Sequence, residues 1–294
     1  MRRLKGWLIL ALLRATSILP LAAARALARA AAAAALTLDV RAARTTRINV
    51  ALCFPELGPE EQARLVRDSL AHSASVVTEA GPLYHWPRAR WQTRLTLVGD
   101  ELFNEAMASG RGVLLLGPHF GNWEALPLFL GRYAVTGLYD PPRISALEKT
   151  VRAARERNGM RLLPIDARGL RGVYQALSAG SAAGILPDQV PGRNAGVYAP
   201  FFGHPALTMT LAHRLIRRTR PVVLLVAARR VSGGFRIEFH AAPPDILAPD
   251  PETSAAAMNS AIESLVRTDP SQYQWEYKRF RRQPAGVADP YRVG

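Results

Sequence analysis

Two side chains in this 294-residue sequence are spaced for proton transfer: His119 and Glu124, in the run Gly117-Pro118-His119-Phe120-Gly121-Asn122-Trp123-Glu124. A neutral imidazole near pH 7 takes a proton from a hydroxyl if a carboxylate holds the ring and stabilises the imidazolium. The pair therefore reads as a general base, His119, oriented and charge-stabilised by Glu124. No serine or cysteine nucleophile accompanies it. The single Cys53 is far away in sequence, and Gly180-Ser181-Ala182-Ala183-Gly184 puts its serine at the wrong place for a nucleophile elbow. The acceptor hydroxyl must then belong to a substrate. On spacing alone a second reading stays open, a buried structural histidine with a glutamate on a helix's solvent face.

The flanking residues say how the pair is held. Val113 to Leu116 are too few for a helix and too apolar for an exposed loop, which predicts a buried strand ending at Gly117 and Pro118. Gly121 lets the chain turn, Asn122 suits an N-cap, and a helix is expected from Trp123 onward. Further strands are expected at 95–98, 133–139, 162–165 and 184–186, with a hairpin at 222–239 around Ser232-Gly233-Gly234. Helices are expected from Pro59 to about Glu79 and over 101–108, 144–158, 169–179, 208–217 and 253–266. This alternation predicts an α/β fold, a mixed and mostly parallel sheet flanked by helices. Open sheets of that kind place ligands at strand carboxyl ends, so His119, Tyr139 and Asp188 can share one crevice. Asp188 equally suits a loop cap.

The formal net charge of +15 is mostly arginine, and suits nucleic acid, anionic lipid or an acidic protein. No RNA-binding aromatic motif, zinc-finger spacing or basic zipper selects nucleic acid, so none is expected as a partner. One cysteine excludes an intramolecular disulfide and a cysteine-rich metal site. Met1 to Lys5 is basic, Trp7 to Leu13 apolar, and Arg14 interrupts before Ala15 to Ala24. An arginine near the centre of a span costs roughly 2.5–3.5 kcal/mol, which favours a helix lying in the membrane surface over a clean crossing. A cleaved signal peptide ending near Ala22 to Ala24 is the alternative. The expected organisation is a membrane-associated helix over 1–36 and a catalytic domain over 37–294. The aromatic tract Pro82 to Trp91 fits a packing corner or a membrane rim, and His72, His204 and His213 read as structural.

Beyond the histidine block, Asn49 to Glu56, Arg155-Glu156-Arg157-Asn158-Gly159, Pro187-Asp188-Gln189, Pro200-Phe201-Phe202-Gly203, Pro205-Ala206-Leu207-Thr208 and Pro270-Ser271-Gln272-Tyr273-Gln274-Trp275 through Arg279-Phe280-Arg281 follow in order along nearly the whole chain. Together these blocks resemble the bacterial lipid A biosynthesis acyltransferases, the lauroyl and myristoyl transferases, within the glycerolipid acyltransferases that share a His-x4-Asp/Glu dyad. Two segments depart from that pattern, Tyr139 to Arg143 and Arg193 to Tyr198, and both lie where the acceptor is read. The resemblance implies a glycerolipid acyltransferase-like fold with an uncleaved membrane-anchoring helix on the cytoplasmic face of the inner membrane. It implies O-acyl transfer from an acyl carrier protein thioester to a hydroxyl of an anionic glycolipid, a lipid A precursor, with no metal or cofactor. His119 and Glu124 would be catalytic, and Asn122, Trp123, Arg155, Arg157, Asp188 and Gln189 would contact substrate. Backbone amides from Asn122 to Glu124 would serve the oxyanion, Arg279, Arg281 and Arg282 would dock anions, and Phe201, Phe202 and Leu207 would line an acyl channel or pack as core. Alternatives that keep the chemistry change the acceptor to an ornithine lipid or a phosphoinositide mannoside. One of another class is a non-catalytic basic protein binding membrane or nucleic acid, which has no use for this histidine and glutamate. His119→Ala should lower turnover by roughly 10²–10⁴-fold without unfolding the protein, as measured by thioester consumption beside a thermal melt.

Overall fold

The computed structural model describes residues 2–142 and 145–292, without the side chains of residues 2–5, 145 and 146. Met1, Arg143 and Ile144, which entered the readings above, lie outside the described residues. Four helices open the chain: α1 (Arg2–Ser17), α2 (Leu21–Thr37), α3 (Arg41–Cys53) and α4 (Pro59–His85). There follow α5 (Arg88–Gln92), β1 (Leu95–Val98), α6 (Asp100–Ala108) and β2 (Val113–Leu116). A single turn of 3-10 helix, Trp123–Ala125, leads into α7 (Leu126–Leu130), β3 (Thr136–Tyr139), α8 (Ser145–Glu156), β4 (Arg161–Pro164), α9 (Ala167–Ser178) and β5 (Ala182–Ile185). The remainder is β6 (Gly196–Phe201), β7 (His204–Met209), α10 (Leu211–Thr219), β8 (Val222–Val231), β9 (Gly234–Ala241) and α11 (Pro251–Thr268).

Seven strands form one sheet in the order β1-β9-β8-β2-β5-β3-β4. All neighbours are parallel except the β8–β9 hairpin, so β1 and β9 run against the other five. The sheet is thus mixed and mostly parallel, with helices on both faces. β2 is central, and its four apolar side chains are fully buried because both faces are covered. Leu114 and Leu116 point into one core with Phe201, Trp275 and Phe280, whereas Val113 and Leu115 point into the other with Phe103, Phe129 and Phe235.

The N-terminal helices pack on α4. Leu21, Ala24, Ala28 and Ala32 are buried, and the small side chains of the three alanines let α2 approach closely. Where α1 meets α4, a Cβ on Gly81 would fall 2.4 Å from the Leu13 carbonyl oxygen, so only glycine admits that contact. Residue 36 therefore sits inside packed structure, near the end of α2. The outward side of α1 carries Trp7, Leu8 and Leu12, and Ile18 follows, all exposed. Among the described residues no single helix is long and apolar enough to cross a membrane. The aromatic tract is a packing corner: Trp86 and Trp91 are buried with ring centroids 5.0 Å apart, and Trp86 Nε1 donates to the Ser17 carbonyl at 2.6 Å.

The structure corrects one local reading. Pro200 to Met209 is mostly the β6–β7 hairpin, and the helix expected from Thr208 begins at Leu211. Phe201 and Phe202 pack with Phe54, Tyr273, Trp275 and Phe280, and they are core rather than a channel lining. In α4, burial lowers the His72 imidazole to about 4, with Arg230 and Arg25 opposing its protonation and Asp269 and Glu79 favouring it. The unfolded chain therefore takes up a proton that the native chain refuses as pH falls from about 6.5 toward that value. Urea-unfolding midpoints should drop over this window, and His72→Gln should flatten the drop.

Candidate active site

The two central strands deliver the reacting groups. Leu116 of β2 and Ile185 of β5 are register partners at the ends of their strands, and His119 and Asp188 are each the third residue beyond. Asp188 grips His119 at two points: Oδ2 accepts the His119 backbone N–H at 2.9 Å, and Oδ1 lies 2.8 Å from the ring Nδ1. Asp188 is buried, with the buried Tyr273 beside it. Burial alone would raise the carboxyl, but the neighbouring imidazole and the hydrogen bonds it receives hold it below the usual carboxylate range. An ionised Asp188 fixes the proton on Nδ1 and leaves Nε2 as the basic nitrogen. Nε2 faces the Gln189 amide nitrogen at 3.2 Å, and the Trp123 ring stands edge-on to the imidazole with centroids 4.7 Å apart.

Glu124 is in the same crevice but is bound to other partners. Its carboxylate takes Nε of Arg155 at 3.0 Å and a second guanidinium nitrogen of the same residue, and Tyr84 lies close by. Arg155 in turn lies 5.1 Å over the Tyr139 ring. The sequence reading gave the orientation of His119 to Glu124; the structure gives that contact to Asp188. Two of the residues expected at the substrate are engaged within the protein. Asn122 is fully buried, donating to Glu79 Oε2 at 2.8 Å and accepting the Glu124 N–H at 3.1 Å, so it caps the turn and reaches no ligand. Arg157 donates to the carbonyls of Leu83 and Tyr84 at the end of α4. Of the expected oxyanion amides, Asn122 N–H is taken by the Ala228 carbonyl and Glu124 N–H by the Asn122 side chain, whereas Trp123 belongs to the crevice lining. Arg279 is buried, donating to Leu207 O and Thr208 Oγ1, and does not belong to a docking surface.

His119, Trp123, Glu124, Arg155 and Gln189 open onto a crevice of about 410 Å³ whose walls are otherwise mostly apolar. A positioned base, a buried acid behind it, side-chain N–H donors beside it and an apolar recess suit transfer of an apolar acyl group to a hydroxyl. The fold is α/β, and the site holds the parts that activation of a substrate hydroxyl requires.

Residues 1–282 match the family model described as bacterial lipid A biosynthesis acyltransferase, and the chain belongs to that family and is an acyltransferase. It is similar to the lipid A biosynthesis lauroyltransferase of Escherichia coli K12, 29% identical over 255 residues, covering 85% of this chain and 83% of that one. The palmitoleoyltransferase of the same organism is 27% identical over 255 residues, covering 85% and 82%. A lipid A biosynthesis acyltransferase of Haemophilus influenzae is 27% identical over 286 residues, covering 95% and 90%.

Asp188 separates two roles that the sequence merged. Asp188→Asn should cut kcat by roughly 10²–10⁴-fold with little change in acceptor KM, because an amide cannot stabilise the imidazolium. Glu124→Gln should instead raise KM along with any loss of rate, because it weakens the Arg155 pair on the crevice wall. Should Glu124→Gln match Asp188→Asn in kcat with KM unchanged, the orienting role returns to Glu124.

Proposed function

We infer that the protein moves a fatty acyl group from an acyl carrier protein thioester to a hydroxyl of a lipid A precursor, at the cytoplasmic face of the inner membrane. The observation that carries this reading is the His119–Asp188 pair at the mouth of an apolar crevice, in a chain of this family. The substrate hydroxyl gives its proton to Nε2 of His119 while its oxygen attacks the thioester carbonyl. Asp188 holds the resulting imidazolium. The part of the Arg155 guanidinium that Glu124 does not engage supplies N–H groups for the developing oxygen charge. The C–S bond then breaks, the leaving sulfur takes the proton from His119, and the products are an ester and a free carrier thiol. Neither metal nor bound cofactor enters this scheme.

Charge and surface support the choice of substrates. A net charge of +15 favours encounter with an acidic carrier protein and an anionic lipid. A second cavity of about 710 Å³ carries Arg193, Arg281, Arg282 and Arg292. It adjoins the catalytic crevice, because Arg282 donates to the carbonyl of Pro191, which lines the crevice. These arginines suit a substrate phosphate. The exposed Trp7, Leu8 and Leu12 on α1 suit the membrane surface.

Purified full-length enzyme in detergent should acylate a lipid A precursor from acyl-carrier protein, more slowly as salt shortens the screening length past about 8 Å. Replacing Trp7, Leu8 and Leu12 together by Gln should abolish sedimentation with anionic vesicles while turnover on detergent-dispersed acceptor persists. Equal rates with acyl-coenzyme A and an uncharged acceptor, indifferent to salt, would overturn this choice of substrates.

A further inference from the structure

The crevice floor contains a gap that the strand geometry does not require. Across the sheet, Leu115 pairs with Gly184, Gly184 with Gly137 and Gly137 with Leu162. Register partners in parallel strands share a face, so these four form one row, with two adjacent glycines between leucines. All four line the crevice that opens at His119. Glycine inside a strand costs about 0.5–1 kcal/mol relative to alanine, so a pair in mid-sheet needs a reason.

Backbone conformation does not supply it, since neither glycine has positive φ. Close approach of another backbone does not supply it either. A Cβ on Gly184 would have its nearest neighbours at 3.9 Å, an ordinary contact. One on Gly137 would come within 3.3 Å of Met160 Cε, the movable end of a flexible side chain. What side chains at these two positions would fill is the crevice itself. The row spans three inter-strand steps from β2 to β4, roughly 14 Å, beneath Leu126 and Leu130 of α7.

Resting on the acyl-transfer reading above, the geometry points to Gly137 and Gly184 as the floor of a groove for the acyl chain, with Met160 closing its far side and setting the length accepted. The groove is a specificity element, separate from the groups that move the proton. It lies on the face opposite the phenylalanine core where the sequence suggested an acyl channel.

The test uses full-length enzyme in detergent with acyl thioesters of graded chain length, on carrier protein and on coenzyme A. Gly184→Leu should lower kcat/KM for the longest accepted donors by about tenfold or more per excluded methylene, while the shortest donors keep wild-type rates. Gly137→Ala and Gly184→Ala should give the same trend more weakly, and both fit without backbone clash, so they remain informative if the leucine variant melts early. Met160→Ala should move the optimum to longer chains. Unchanged length profiles in all folded variants, or equal losses with every donor, would overturn the groove while leaving acyl transfer intact. A wild-type enzyme inactive with every donor would instead overturn the functional reading and the groove with it.

Discussion

The structure depends on one buried carboxylate. Glu79, fully inaccessible in α4, receives Arg25 of α2 at 2.6 Å, Arg230 of β8 at 2.8 Å and the Asn122 amide at 2.8 Å. Burial opposes its ionisation, yet the two guanidinium groups hold it below the ordinary carboxylate range. Each partner also reaches onward. Arg25 donates to the carbonyls of Val231 and Gly234, and Arg230 to that of Gly121. Removing one member of such a cluster leaves an uncompensated charge, typically worth about 3–5 kcal/mol. An N-terminal helix, the long helix beneath it, the central sheet and the turn after His119 are thus fixed to one point.

That turn has little freedom of its own. Gly121 sits at φ +62, and a Cβ there would fall 2.0 Å from the Ala228 carbonyl oxygen. Its N–H donates to Gln272 O, and Phe120 bridges to Tyr273, which lies beside Asp188. The C-terminal block from Pro270 is therefore scaffold for the catalytic turn. Asn49, from the earliest block, has the same character, donating to the carbonyls of Trp275 and Tyr277.

Much of this was legible in the sequence. The four-residue apolar run before Gly117 announced the central strand, and the glycine, asparagine and acid after it announced the turn. Five residues of separation make Glu124 the nearer candidate for holding His119, while Asp188, which makes that contact, is 69 residues away. Its signal was present nonetheless, as a polar residue the same distance past a second buried strand. The β6–β7 hairpin was hidden by its turn, in which Phe202 adopts φ +49 ahead of Gly203. Such turns favour Asn or Gly at that position. Phenylalanine is held there by packing and by Glu263, which accepts its N–H. Likewise, net charge cannot tell a buried arginine such as Arg230 or Arg279 from a surface one.

The two-point grip of Asp188 on His119 has a kinetic meaning. With both its ring and its main chain tied to one carboxylate, the imidazole cannot swing between successive partners. On the acyl-transfer reading proposed above, the hydroxyl and the sulfur would then have to be present together around a stationary Nε2. With no serine, threonine or cysteine among the described residues lining the crevice, acyl transfer as proposed above entails a sequential rate law through a ternary complex.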